Sequence, residues 1–272
     1  VALSLVQTAD AAGTNTAAPA FGSNVTLNSL IMAIGGPYAN GGVPTETVTG
    51  VTDTRSNSFS PITVSGTLND GVHTKGAAYL SGVSSAGADT VTLACSGAPA
   101  GGGSIAGIFE IAGSNVVVET AAALSGTTSG VVTGPSLVTA GPALIVAFQF
   151  SFAITNSSNN NSWTGYVTGL GDGIASKAVG AGTTVVNAFN MTANGSNPWF
   201  IIAVAFKENT ASASDWGGRG GRTNLAQALL AQRADLDRPD RAQRYLRAQR
   251  DRWTNPDRAR DLLGRTAARR AA

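Results

Sequence analysis

The sequence is short of charge, of cysteine and of histidine, and each shortage removes a class of function. Charged residues make up 12% of the 272-residue chain, about half the usual share for a soluble domain, which does not suit a typical cytosolic enzyme. The lone cysteine, Cys95, excludes an intrachain disulfide. Flanked by Val91, Leu93 and Ala94, it reads as a small hydrophobe on a strand. The lone histidine, His73, leaves a zinc site without its usual three or four ligands, and neither H-E-x-x-H nor paired C-x-x-C occurs. A Ser–His–Asp arrangement would have to use His73, yet no G-x-S-x-G elbow is present. No run approaches the roughly 18–20 apolar residues of a membrane span. The N-terminus lacks the basic and apolar regions of a secretion signal. The expectation is a protein made in the cytoplasm and either left there or assembled there into a particle.

What the chain does have is glycine, serine, threonine, asparagine and β-branched residues, with 43% hydrophobic residues to build a core. Apolar residues fall at period two or in short runs at 25–34, 47–53, 62–67, 76–80, 89–95, 104–111, 116–119, 131–138, 143–152, 183–189 and 199–206. None of these segments has helical periodicity. Turn signals such as Asn69-Asp70-Gly71 and the Asn/Ser-rich stretch 156–162 separate them. Many short strands between turns indicate a sandwich or barrel. The reading is all-β: an antiparallel, jelly-roll-like β-sandwich over residues 1–208. The continuous apolar runs at 143–148 and 200–206 are expected as central strands of its two sheets.

The net charge of +2 hides a segregation. Residues 1–211 carry four cations against nine anions, a net of −5, whereas residues 212–272 carry fourteen arginines against seven aspartates, a net of +7. Residues 209–222 (NTASASDWGGRGGR) read as a glycine- and serine-rich linker. Residues 223–272 read as a short α-helical tail of about three helices, with Pro239 and Pro256 in first turns and aspartates near the helix starts. Pro239-Asp240-Arg241-Ala242 with Tyr245-Leu246 recurs as Pro256-Asp257-Arg258-Ala259 with Leu262-Leu263. Arg241, Arg244, Tyr245, Leu246, Arg258, Leu262 and Leu263 are therefore the expected anchoring residues. Arginine interspersed with aspartate suits i, i+4 pairs and bidentate bridges to protein better than a phosphate backbone.

Chemistry is sparse in the body. Paired carboxylates would be enough for a glycosidase, and Glu110, in the apolar strand around Phe109 and Ile111, and Glu119 are the candidates. Alternation of the strand equally points Glu110 at a hydrogen-bonding partner. The Gly169–Gly173 stretch (GLGDG) lacks the last glycine and the strand–helix context of a dinucleotide fingerprint and reads as a turn. No cofactor or metal is expected, although Asp172 could join carbonyls around calcium. Trp163 and Tyr166 follow the loop that holds Asn156 and Asn160; together these four are the candidate glycan-contacting tip. The bland alternative packs the two aromatics at a strand edge.

Three segments carry a family resemblance: Gly50-Val51-Thr52-Asp53-Thr54-Arg55-Ser56-Asn57-Ser58-Phe59, then Phe109-Glu110-Ile111-Ala112-Gly113, then Ala203-Val204-Ala205-Phe206-Lys207. They resemble the V-T-D-x-x-G-N, F-E-I-x-G and A-x-A-F-K elements of β-sandwich modules in tailed-phage virion proteins and related bacterial surface proteins, with Ser56 where that pattern has glycine. The resemblance spans about residues 1–207 and assigns no active site. It implies a non-enzymatic virion protein, a minor tail, tail-tip or fibre component, or alternatively a head decoration or capsid fibre protein. Other virion proteins would be met through the tail, with a homotrimer expected by analogy and a host-surface glycan as a possible contact. From another class, the rival is a carbohydrate-binding module or glycan depolymerase.

Overall fold

The computed structural model describes residues 3–113, 115–127, 130–151, 155–156, 162–168, 171–191 and 198–209. The expected helical tail, with all seven of its anchoring residues, and all but the first residue of the linker lie outside the described residues.

The body is all-β with antiparallel sheets. Its first part runs β1 (Ser4–Gly13), β2 (Thr16–Ala17), β3 (Leu30–Tyr38), β4 (Val48–Asp53), β5 (Ser60–Pro61), β6 (Ala77–Gly82), β7 (Val91–Cys95) and β8 (Gly103–Ala112). The second runs β9 (Val116–Gly126), β10 (Gly130–Val131), β11 (Ser136–Thr139), β12 (Ala143–Ser151), β13 (Thr155–Asn156), β14 (Thr164–Val167), β15 (Gly173–Val179), β16 (Gly182–Val185), β17 (Asn190–Met191) and β18 (Trp199–Glu208).

The two parts repeat one topology. The first builds a five-stranded sheet in the order β1-β8-β3-β6-β5, and the second builds one in the order β9-β18-β12-β15-β14. In each, the first long strand pairs with the last, and the last with the strand that starts at a Leu-Ile-x-Ala segment. Residue registers agree throughout. Leu30 lies opposite Ile111 and Gly82, as Leu144 lies opposite Phe206 and Ala178. Even the bulge is shared: β1 skips Val6 between the partners Ile111 and Glu110, and β9 skips Glu119 between the equivalent partners Phe206 and Ala205. A bulge is a specific local device, so its recurrence at one register position marks a duplicated architecture.

Strand alternation sorts side chains onto two faces. Met32, Ile34 and Phe109 of the first sheet meet Val146, Phe148, Phe200 and Val204 of the second in one buried cluster, so the sheets pack face to face. Their other faces are covered too. Ile31 and Ile108 pack with Val51 and Leu93 of a β2-β7-β4 sheet. Ile145 and Ala203 pack with Leu137, Val186 and Phe189, around the β11-β16 pair. Burial on both faces explains why 143–148 and 200–206 read as unbroken apolar runs rather than alternating ones.

Those two runs, expected as the centres of separate sheets, are adjacent strands of one sheet; β8 and β3 hold the centre of the other. The strand expected at 62–67 is not formed. Ser65 makes an isolated bridge to Ala122, and Gly66 turns the chain at φ 97°. Close approach of the sheets needs glycine at Gly107, where a Cβ would sit 2.5 Å from the Phe148 ring. We expect Gly107→Val to lower unfolding stability by ~1–3 kcal/mol through overpacking, read from denaturant melts. Gly22→Ala, with nothing within 4 Å, stays within about 0.5 kcal/mol of the parent.

Candidate functional site

Several carboxylates of the body hold loops. Glu110 is fully buried on β8. Its Oε1 accepts the Thr26 N–H at 2.6 Å and the Ser29 hydroxyl at 2.9 Å, and its Oε2 accepts the Gln7 amide at 2.6 Å. A buried carboxylate is tolerated when donors saturate it in this way. Those three donors, none of them a carboxylate, occupy Glu110.

The turn after β4 is organised by Asp53. Its Oδ1 accepts the N–H groups of Arg55 and Asn57, and its Oδ2 accepts the Asn57 amide at 2.6 Å. Ser56 adopts φ 59°, the left-handed conformation that favours glycine. Asn57 then accepts from the N–H and hydroxyl of Ser84, tying this turn to the one after β6. Asp89, buried close by, accepts the Thr54 hydroxyl at 2.8 Å. Burial raises its carboxyl above the usual range, and the neighbouring Asp53 adds to the effect. His73 belongs to a similar turn. Asp70 Oδ1 accepts the N–H groups of Val72, His73 and Thr74, and His73 Nδ1 lies 3.0 Å from the Ala39 carbonyl. Burial pushes the Cys95 thiol up to about 11, with the charge of Glu46 adding to it, which keeps the thiol protonated and unreactive. Among the described residues, no group of three His, Cys, Asp or Glu could hold a metal ion.

The candidate glycan-contacting residues fall in different surroundings. Trp163 is 2% exposed, packed in the core with its indole N–H donating to Asn187 Oδ1 at 3.1 Å, so it offers no stacking platform. Tyr166, half-buried on β14, donates its hydroxyl to Asp10 Oδ1 on β1 at 3.0 Å and links the two five-stranded sheets. The backbone of Asn156 pairs with Asn190; its side chain and all of Asn160 lie outside the described residues. Near Tyr166 is Asp172, whose Oδ1 accepts the Ser151 N–H at 2.9 Å. Burial pushes its carboxyl up to about 7, and the charge of Asp10 adds to the rise.

Among the described residues, two grooves lie at equivalent ends of the halves. The first, about 750 Å³, is lined by Asn28, Ser29 and Leu30 before and at the start of β3, Gly82, Val83 and Ser84 after β6, Gly113 after β8, and Asn115 and Val116 entering β9. The second, about 490 Å³, is lined by residues 140–143 before and at the start of β12, Ala178 and Val179 of β15, Lys207 and Glu208 of β18, and Leu3 before β1. The sheet registers make Val83 the counterpart of Val179, and Val116 the counterpart of Leu3. Each groove has a carboxylate holding its rim. In the first, Glu110 takes the Thr26 N–H. In the second, Glu119, the bulge residue of β9, takes the N–H of the equivalent Ala140 at 2.9 Å and pairs with Lys207 at 3.2 Å. Sequence reasoning missed both grooves, because each is assembled from turns far apart in the chain.

Set against known protein families, curated proteins and solved structures, the chain matches none.

Two outcomes follow from these contacts. Glu110→Ala strands the Thr26, Ser29 and Gln7 donors, and we expect a loss of ~2–4 kcal/mol in denaturant melts. For Asp172 the folded value lies above the unfolded one, so its stabilising contribution is full below about pH 4 and is lost as pH rises through about 7. Thermal melts of Asp172→Asn should therefore fall less between pH 5 and 8 than those of the parent. An equal fall in both would contradict the assignment.

Proposed function

We propose that the chain is a non-enzymatic structural protein of a tailed-phage virion, a minor tail, tail-tip or fibre component whose residues 1–208 form a jelly-roll-like β-sandwich. The observation that carries this reading is Glu110, the best candidate for a catalytic acid in the body, whose carboxylate is taken up by three internal donors. The other carboxylates with described partners serve in the same way, as acceptors for loop N–H and hydroxyl groups. A body built so presents amides, hydroxyls and small apolar side chains to its surroundings, a surface suited to tight packing among neighbours in a particle. The segments that resemble virion modules also sit where geometry makes demands: Asp53 organises a turn, Glu110 fixes a loop, and Phe206 lies in the core between the sheets.

In this reading the arginine-rich tail joins the protein to other virion proteins through Arg241, Arg244, Tyr245, Leu246, Arg258, Leu262 and Leu263, and the body stands outward, in a homotrimer by analogy with other fibres. The protein is made in the host cytoplasm and resides in the virion. Quantitative mass spectrometry of purified particles tests it. The full chain is expected in stoichiometric amounts, and a chain ending at residue 211 is expected to be soluble and missing from particles. Absence of the full chain from particles contradicts the virion assignment; normal incorporation of the shortened chain contradicts the anchoring role.

A further inference from the structure

We infer that the first groove, lined by Asn28, Ser29, Ser84 and Asn115 over Leu30, Val83 and Val116, is a binding site for an uncharged oligosaccharide. This goes beyond the virion reading and stands on different observations.

The groove is of ligand size, about 750 Å³, within the ~300–1,000 Å³ of small-molecule sites. Its rim is held in place from behind. Glu110 fixes both the N–H of Thr26 and the hydroxyl of Ser29, and Asn57 fixes the N–H and hydroxyl of Ser84. Two non-glycine residues of the rim, Asn28 at φ 68° and Asn115 at φ 51°, are in the left-handed region. Backbone conformations of that kind are sustained by their surroundings and cluster at binding sites. Both asparagines are exposed, and neither side-chain amide has a hydrogen-bond partner among the described residues.

The lining selects the ligand class. Among the described residues it contains no lysine, arginine, aspartate or glutamate, so phosphate, sulfate, uronate and cationic ligands find no counter-charge there. Each asparagine amide offers a donor and an acceptor side by side, which matches vicinal hydroxyls, and the leucine and valines offer an apolar floor for the C–H face of a sugar ring. No aromatic among the described residues lines the groove, so recognition here rests on hydrogen bonds and aliphatic contact rather than stacking. The second groove is an internal comparison. It has the equivalent position, but Lys207 and Glu208 replace Ala112 and Gly113 in register, and Pro142 replaces Asn28. A neutral sugar chain therefore has its donors and acceptors in the first groove and not in the second.

Titration of the full-length protein with maltotetraose, cellotetraose and chitotetraose, followed by amide chemical shifts, tests the inference. At least one probe is expected to give saturable shifts confined to residues 28–30, 82–84 and 113–116, with tetragalacturonate giving none. The Asn28→Gly/Asn115→Gly double variant keeps the left-handed turns while removing both amides, and is expected to bind about tenfold more weakly with an unchanged melting temperature. Absence of saturable shifts with all three neutral probes overturns the inference. So do equal shifts around 140–143 and 178–179, equal binding of tetragalacturonate, or undiminished binding by the double variant. None of these outcomes bears on particle composition, so this inference and the virion reading fail separately.

Discussion

The body depends on one apolar contact, the meeting of two equivalent sheet faces. Met32, Ile34 and Phe109 on one side and Phe148, Phe200 and Val204 on the other are each at or near zero exposure. Each face alone would leave a large apolar surface in water, and the hydrophobic gain is realised only when the other half supplies the cover. The contact explains glycines that local propensity would not choose. Gly107 in mid-strand makes room for Phe148, and Gly76 for Phe200, at 2.5 and 2.8 Å from the position a Cβ would occupy. Phe150 and Phe200 stack with centroids 4.2 Å apart within the same cluster.

With charge so scarce in the body, several carboxylates have a local task. The two halves solve one problem with different residues. The N–H at the turn before the long inner strand, Thr26 in one half and Ala140 in the other, is capped by Glu110 from β8 or by Glu119 from β9. Recurrence of the capping with different donors of the carboxylate shows that the turn geometry is the constraint and the residue is its instrument. The same turns frame the two grooves, whose positions are equivalent and whose linings differ, neutral in one and ionic in the other.

How much of this was legible in the sequence follows from the physics of strands. The all-β class and most strand positions were readable from period-two patterning and turn clusters. β1 was missed because its alanine-rich sequence, SLVQTADAAG, has only Val6 and Thr8 of the β-branched residues that signal a strand. The duplication was invisible because the halves share little beyond Leu-Ile-x-Ala, and what they hold in common is register and a bulge. The role of Glu110 was half readable: the apolar strand around it foretold burial, whereas its donors come from positions 81 to 103 residues away. Trp163, read either as a candidate contact or as packed at a strand edge, lies in the core; the sequence left its facing open because a one-residue change exchanges surface for core. The grooves were beyond reach because each is built from segments far apart in the chain.

The central claim is that the two halves hold each other folded as one cooperative unit. Native-state hydrogen exchange of the full chain tests it most directly. The account predicts that the slowest amides of β3 and β8 and those of β12 and β18 exchange through one opening with a common free energy and a common denaturant dependence. Two separate openings, with one five-stranded sheet exchanging while the other stays protected, would contradict it.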